Sequence, residues 1–221
     1  MLTRLRFLLT WLIVSSLCLP LSCLAYDTPL SDTAVRDAYF LGQRHDQFMT
    51  EFLNKYIKHL PVPSSGPYIY SVSFMTPFAL MVQYSSSQPN YSAQQAQIDH
   101  EATPEMVSVR VEIALTQSYG PFLTKPTGSR SAPPLGIQLR SADFWSEVKF
   151  RIFDGKEEIT TNDINGQPHY LCSDYGGCTL SGATVSLQFP ASAFTSDSTM
   201  IEMNPPEGDQ VVVEFDLTSL R

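Results

Sequence analysis

The chain has 221 residues, of which 43% are hydrophobic and 16% charged, with a formal net charge of −8. That composition excludes a disordered acidic tail, a coiled coil and a multi-pass membrane protein, and leaves an ordinary globular domain. Lysines and arginines are few and scattered, so no basic face is expected for nucleic acid or for an anionic membrane surface.

Residues 1–25 read as an export signal: Arg4 and Arg6, an apolar stretch from Phe7 through Leu21, then Cys23-Leu24-Ala25 with small residues at the cleavage-determining positions. Cleavage is expected before Tyr26, and losing Arg4 and Arg6 moves the net charge from −8 to −10. Lipidation of Cys23 is a second reading, although Pro20 stands where a lipobox wants leucine. An uncleaved anchor is a third, with an apolar run shorter than the ~20 residues a bilayer needs. A membrane is therefore a partner only if Cys23 carries lipid.

From Thr33 to Leu60 there is no proline, and Ala34, Ala38, Leu41, Phe48, Phe52 and Tyr56 recur at helical steps. One long N-terminal helix is expected, capped at Ser31 or Asp32 and ended by Pro61 and Pro63. Gly42 is its weak point, costing about 1 kcal/mol against alanine, and a break there would give two helices.

After Pro63 the period becomes two. Val107, Val109, Val111, Ile113 and Leu115 alternate with Ser108, Arg110, Glu112, Ala114 and Thr116, as a strand with one buried face requires. The same alternation predicts strands at Phe78 to Tyr84, Val148 to Ile152, Val185 to Phe189 and Val211 to Leu217, with weaker ones at 68–74 and 199–204. Asp154-Gly155 and Asn165-Gly166 are hairpin dipeptides, because tight primed turns need positive φ. They suggest a meander from about Glu147 to Cys172, continuing through a cystine loop into a strand near 179–189. Two connections are long: residues 85–105, where Ser92-Ala93-Gln94-Gln95 is a capping box opening a helix at about 93–101, and residues 117–140, an irregular Pro- and Gly-rich loop.

Of four cysteines, Cys18 and Cys23 lie in the signal, leaving Cys172 and Cys178 to pair across Ser173-Asp174-Tyr175-Gly176-Gly177. A redox site would more typically place two residues between its cysteines, and zinc would need more ligands than the nearby His169.

No catalytic motif is complete. Gly128-Ser129-Arg130-Ser131-Ala132 lacks the last glycine of a nucleophile elbow, and His100-Glu101-Ala102-Thr103-Pro104 has proline where a zinc-protease helix needs its second histidine. The calcium-like run Asn162 to Gly166 lacks two principal ligands of an EF-hand frame. Arg44-His45-Asp46 reads as a solvated helix face, since adjacent helical residues diverge. No cofactor motif is present.

These features predict a mainly β protein, α+β by content: an antiparallel β-sandwich of about nine strands (64–221) preceded by one long helix (26–63) packed on it as one structural unit. The functional expectation is an exported, non-enzymatic module that binds or scaffolds a protein or glycan of the cell envelope. Trp145, Tyr170 and Tyr175 are its candidate binding surface, since exposed aromatics stack on sugars or anchor partners. The alternatives are a hydrolase whose site assembles only in three dimensions, and a carbohydrate-binding module.

Overall fold

The computed structural model describes residues 26–62, 68–116, 120–126, 135–174, 176–206 and 208–221, without side chains for 122–126 and 135–138. The export-signal and Cys23 readings, and Tyr175, lie outside those residues. Nine strands in two antiparallel sheets, a separate two-stranded ribbon and four α-helices make up the described fold.

The expected long helix is two. Helix α1 (Asp32–Gly42) starts at Ser31, whose hydroxyl accepts from the Ala34 amide; α2 (Gln47–Asn54) starts at Asp46, whose carboxyl accepts from Met49. The break falls after Gly42, where a Cβ would lie 2.4 Å from the Val82 carbonyl, so glycine is needed for close helix packing. His45 at φ +50° then turns the chain. Arg44-His45-Asp46 is thus an interhelical turn and cap, with Arg44 2.8 Å from Asp46. Phe48 is 56% exposed, off the stripe expected to bury it, because the break re-phases the second helix.

Strand β1 (Ile57–His59) pairs with β2 (Tyr68–Met75), which pairs with β3 (Met106–Ala114). Between β2 and β3 come α3 (Pro77–Ser87) and α4 (Ala93–Ala102). The expected strand at Phe78 to Tyr84 is therefore wrong: that stretch is helical. Phe78, Ala79 and Val82 share the buried face, but Leu80, Met81 and Tyr84 put apolar residues on the other sides as well, so the sequence shows no single apolar stripe. The deciding local signal is Thr76-Pro77: the threonine hydroxyl accepts from the Ala79 amide at 3.3 Å, and proline occupies the first turn, where its missing N–H costs nothing. Helix α4 falls where its capping box puts it, with the Ser92 hydroxyl accepting from Gln95.

The 117–140 stretch contains a ribbon, β4 (Phe122–Pro126) paired with β5 (Leu135–Leu139), where only irregular loop was expected. Strand β6 (Lys149–Asp154) turns into β7 (Glu157–Ile159) through Gly155-Lys156, one residue on from the expected dipeptide: Asp154 is the last strand residue, opposite Glu157, and Gly155 at φ +57° supplies the positive φ of a primed turn. The second dipeptide is no turn. Asn165 and Gly166 lie inside β8 (Ile164–Cys172), opposite Ser186 and Val185 of β9 (Cys178–Pro190), so the single meander is split between two sheets. Glycine is required there for a packing reason, since a Cβ on Gly166 would meet the Trp145 indole at 2.0 Å. Strands β10 (Ser198–Asn204) and β11 (Val211–Asp216) complete the chain, and the sheet orders are β1-β2-β3-β9-β8 and β11-β10-β6-β7.

One core cluster draws on both sheets: Val109, Val111, Val185 and Leu187 from one, Ile152, Ile201, Met203 and Phe215 from the other. The rings of Phe74 and Phe215 meet across the sheets at 5.8 Å. Each such side chain taken out of water contributes about 1.5–3 kcal/mol. A second cluster joins α1, α3 and α4 through Val35, Ala38, Phe78, Val82 and Ala96, and Phe52 packs against both.

Candidate functional site

Along β3 the valines face the core, so Met106, Ser108, Arg110 and Glu112 face the other way. Helix α3 and the C-terminal end of α4 border one end of this outer face, where Ser108 is fully buried. Between the helices and the strand runs a groove of about 800 Å³. Pro77, Leu80, Met81, Ala102, Pro104 and Met106 give it an apolar lining, and Tyr84, Tyr91, Asp99, His100, Glu105 and Arg110 add polar groups. A concave apolar recess with a few convergent polar groups is the usual form of a ligand site.

Most of those polar groups are already engaged. The Tyr91 hydroxyl donates to Asp99 at 2.8 Å, and the Gln95 amide donates to its other oxygen at 2.7 Å. Burial first, and the Asp99 carboxyl second, push the Tyr91 hydroxyl above the usual phenol range. Glu105 accepts from the Thr28 hydroxyl and the Leu30 amide, both at 2.6 Å, while His100 Nε2 lies 3.3 Å from the same carboxyl. Glu105 thereby ties the segment before α1 to the groove wall. Among the described residues no hydroxyl or thiol hydrogen-bonds to His100, and no group of three His, Cys, Asp or Glu could hold a metal.

Arg110 differs. Its side chain has no hydrogen bond and no ion pair among the described residues, and it also lines a second cleft, of about 370 Å³ and walled by polar residues. The other members of that cleft are Asp163, Asn165, Gln167, Thr184, Ser186 and Gln188. Register explains the convergence: Arg110 sits opposite Ser186, which sits opposite Asn165, so side chains of β3, β9 and β8 form one row on one face.

The candidates read from the sequence lie elsewhere. Trp145, on a short 3₁₀ turn at Phe144–Glu147, is partly buried, packed against the core and lying over Gly166. Tyr170 is 52% exposed on β8, beside Leu171 at 73%, near the Cys172–Cys178 disulfide that closes the hairpin. The disulfide points to an oxidising, exported compartment. No described helix is long and apolar enough to cross a membrane.

The groove residues were only partly legible. The long 85–105 connection and the run starting at His100 stand out in the sequence, and both contribute to the wall. Arg110 carried no local signal beyond its place in an alternating strand. No known protein family and no curated protein sequence matches the chain.

Proposed function

We propose that the protein is an exported, non-enzymatic binding module, a β-sandwich whose ligand occupies the groove between α3, α4 and β3. The core shared by the two sheets, with Phe74 against Phe215, supports the sandwich. The observation that carries the binding reading is the groove itself: about 800 Å³ with an apolar lining, within the size of small-molecule sites. Its partner belongs to the cell envelope, and the protein is periplasmic or extracellular, with a lipid anchor at Cys23 as the alternative.

Saturable one-to-one binding of a neutral apolar dye such as Nile red, abolished by Ala102→Trp, is expected. Ala102 is exposed, so that variant should melt with wild type. Dye binding that is absent, or untouched by the filled groove, overturns the reading. A hydrolase remains the second reading because His100 and Glu105 stand 3.3 Å apart in the same groove. Turnover of an ester, glycoside or peptide panel that disappears in His100→Ala would establish it instead.

A further inference from the structure

On the reading that the groove holds a ligand, we infer that this ligand is an amphiphile with an anionic head: its apolar body lies along the groove and its head pairs with Arg110. Three features lead there. The apolar lining, with Met81 and Met106 among it, accommodates a flexible chain, because thioethers repack around irregular shapes. The acids in the groove are occupied, Asp99 by Tyr91 and Gln95, Glu105 by Thr28, Leu30 and His100. They are not waiting for a cationic head.

The guanidinium is the group left over. Neither Glu112, its neighbour along the strand face, nor Asp163 across the cleft comes within ion-pairing distance of it. Arg110 is half-buried at the step where the helical layer ends and the open polar face begins, and it borders both depressions. A partly desolvated, unpaired guanidinium is best satisfied by a carboxylate or phosphate, which its planar fork can bind in two hydrogen bonds. Ser186 then lies on the far side of the head, where its hydroxyl can bond a remaining oxygen; of its neighbours in the cleft, Gln188 already donates to Ser108 at 2.9 Å and the Thr184 hydroxyl lies 2.9 Å from His169 Nε2. The same geometry serves a free long-chain acid and a lipid monomer with an anionic head.

The probes are decanoate, decyl phosphate, decan-1-ol and decyltrimethylammonium, each below its micelle concentration, titrated calorimetrically into the disulfide-intact protein. Decanoate and decyl phosphate should bind at least tenfold more tightly than decanol, and the cationic surfactant more weakly still. Arg110→Gln should erase the advantage of the anions and leave decanol unchanged. Shifts of the Met81 and Met106 methyl resonances should report the chain in both proteins. A stronger response to decanoate than to decyl phosphate points to a free acid, and the reverse to a lipid head.

Equal affinity for decanol and the anions, or an Arg110→Gln variant that keeps the preference, overturns the anionic head while leaving the groove as a binding site. Failure of all four probes to bind removes the groove reading as well.

Discussion

Tyr26 and Tyr56 show how single buried hydroxyls couple this fold to pH. Tyr26 donates to the Ala191 carbonyl at 2.7 Å and Tyr56 to the Arg221 carbonyl at 3.1 Å. Burial, the main cause in both, raises the two phenols above their ordinary value, and the Asp154 and Glu105 charges add to it at Tyr26. A raised folded-state value means that the stabilisation is fully present below about pH 10, where the unfolded chain would ionise, and declines as pH rises above it. Melting temperature should therefore fall steeply above about pH 10, and less steeply in Tyr26→Phe. Gly166 supplies a second test. Adding one methyl there forces Trp145 off its seat, and overpacking of this kind costs about 1–3 kcal/mol. Gly166→Ala should lower the melting temperature and red-shift the emission of Trp145, the only tryptophan after residue 25. Trp145→Ala should remove most of that cost.

Among the elements, the two N-terminal helices separate what periodicity sees from what packing decides. Phe48 and Phe52 are four apart on one apparent stripe, yet Phe52 rests against Tyr56 at 5.2 Å and Phe78 at 5.7 Å, whereas Phe48 lies beneath the exposed Arg44 guanidinium. Phe52→Ala should cost about 2–3 kcal/mol, below the 3–5 of a fully buried phenylalanine because Phe52 is only partly buried. Phe48→Ala should stay within about 0.5 kcal/mol of wild type, as exposed substitutions usually do. Chemical denaturation of the pair reads both. Strand β8 makes a related point: it carries Pro168, tolerated because β8 is an edge strand with one side unpaired. At its end, reducing Cys172–Cys178 should cost about 2 kcal/mol, since the closed loop is short, and mass mapping of unreduced peptides should show the bridge. The turn at Gly155 was legible because positive φ is a purely local demand. Asn165-Gly166 misled because its glycine answers a distant tryptophan.

For the whole molecule, the ribbon and Arg221 set opposite expectations. Among the described residues strands β4 and β5 pair only with each other, and the base of the ribbon is closed by Arg140, whose amide donates to Pro121 and whose Nε donates to Gly120. Replacing residues 122–138 by a short Gly-Ser turn should leave both sheets folded, with stability changed by under about 1 kcal/mol, because closure entropy varies by only about 0.6 kcal/mol per doubling of loop length. A variant that fails to fold would make the ribbon structural. Arg221, by contrast, is locked to the segment before α1 and to the helices: it reaches Asp27 at 3.2 Å and Asp37 at 3.0 Å, and covers the Phe78 ring at 4.3 Å.

Read alone, the sequence determined what depends on neighbours in the chain: the mainly β class, the alternating strands at 107–115 and 211–217, the capped helix after Ser92, the turn at Gly155 and the paired cysteines. Tertiary structure decided the rest. Phe78 to Tyr84 is a helix because it is capped at Thr76 and packs between the sheet and the other helices; apolar residues on all its sides hide the helical stripe and leave a false alternation to read. The groove depends on three segments brought together, and Arg110 matters only because the helical layer stops beside it. Local rules register propensity and alternation; which face a neighbouring layer covers, and which charge it leaves unpaired, follows from packing across the whole chain.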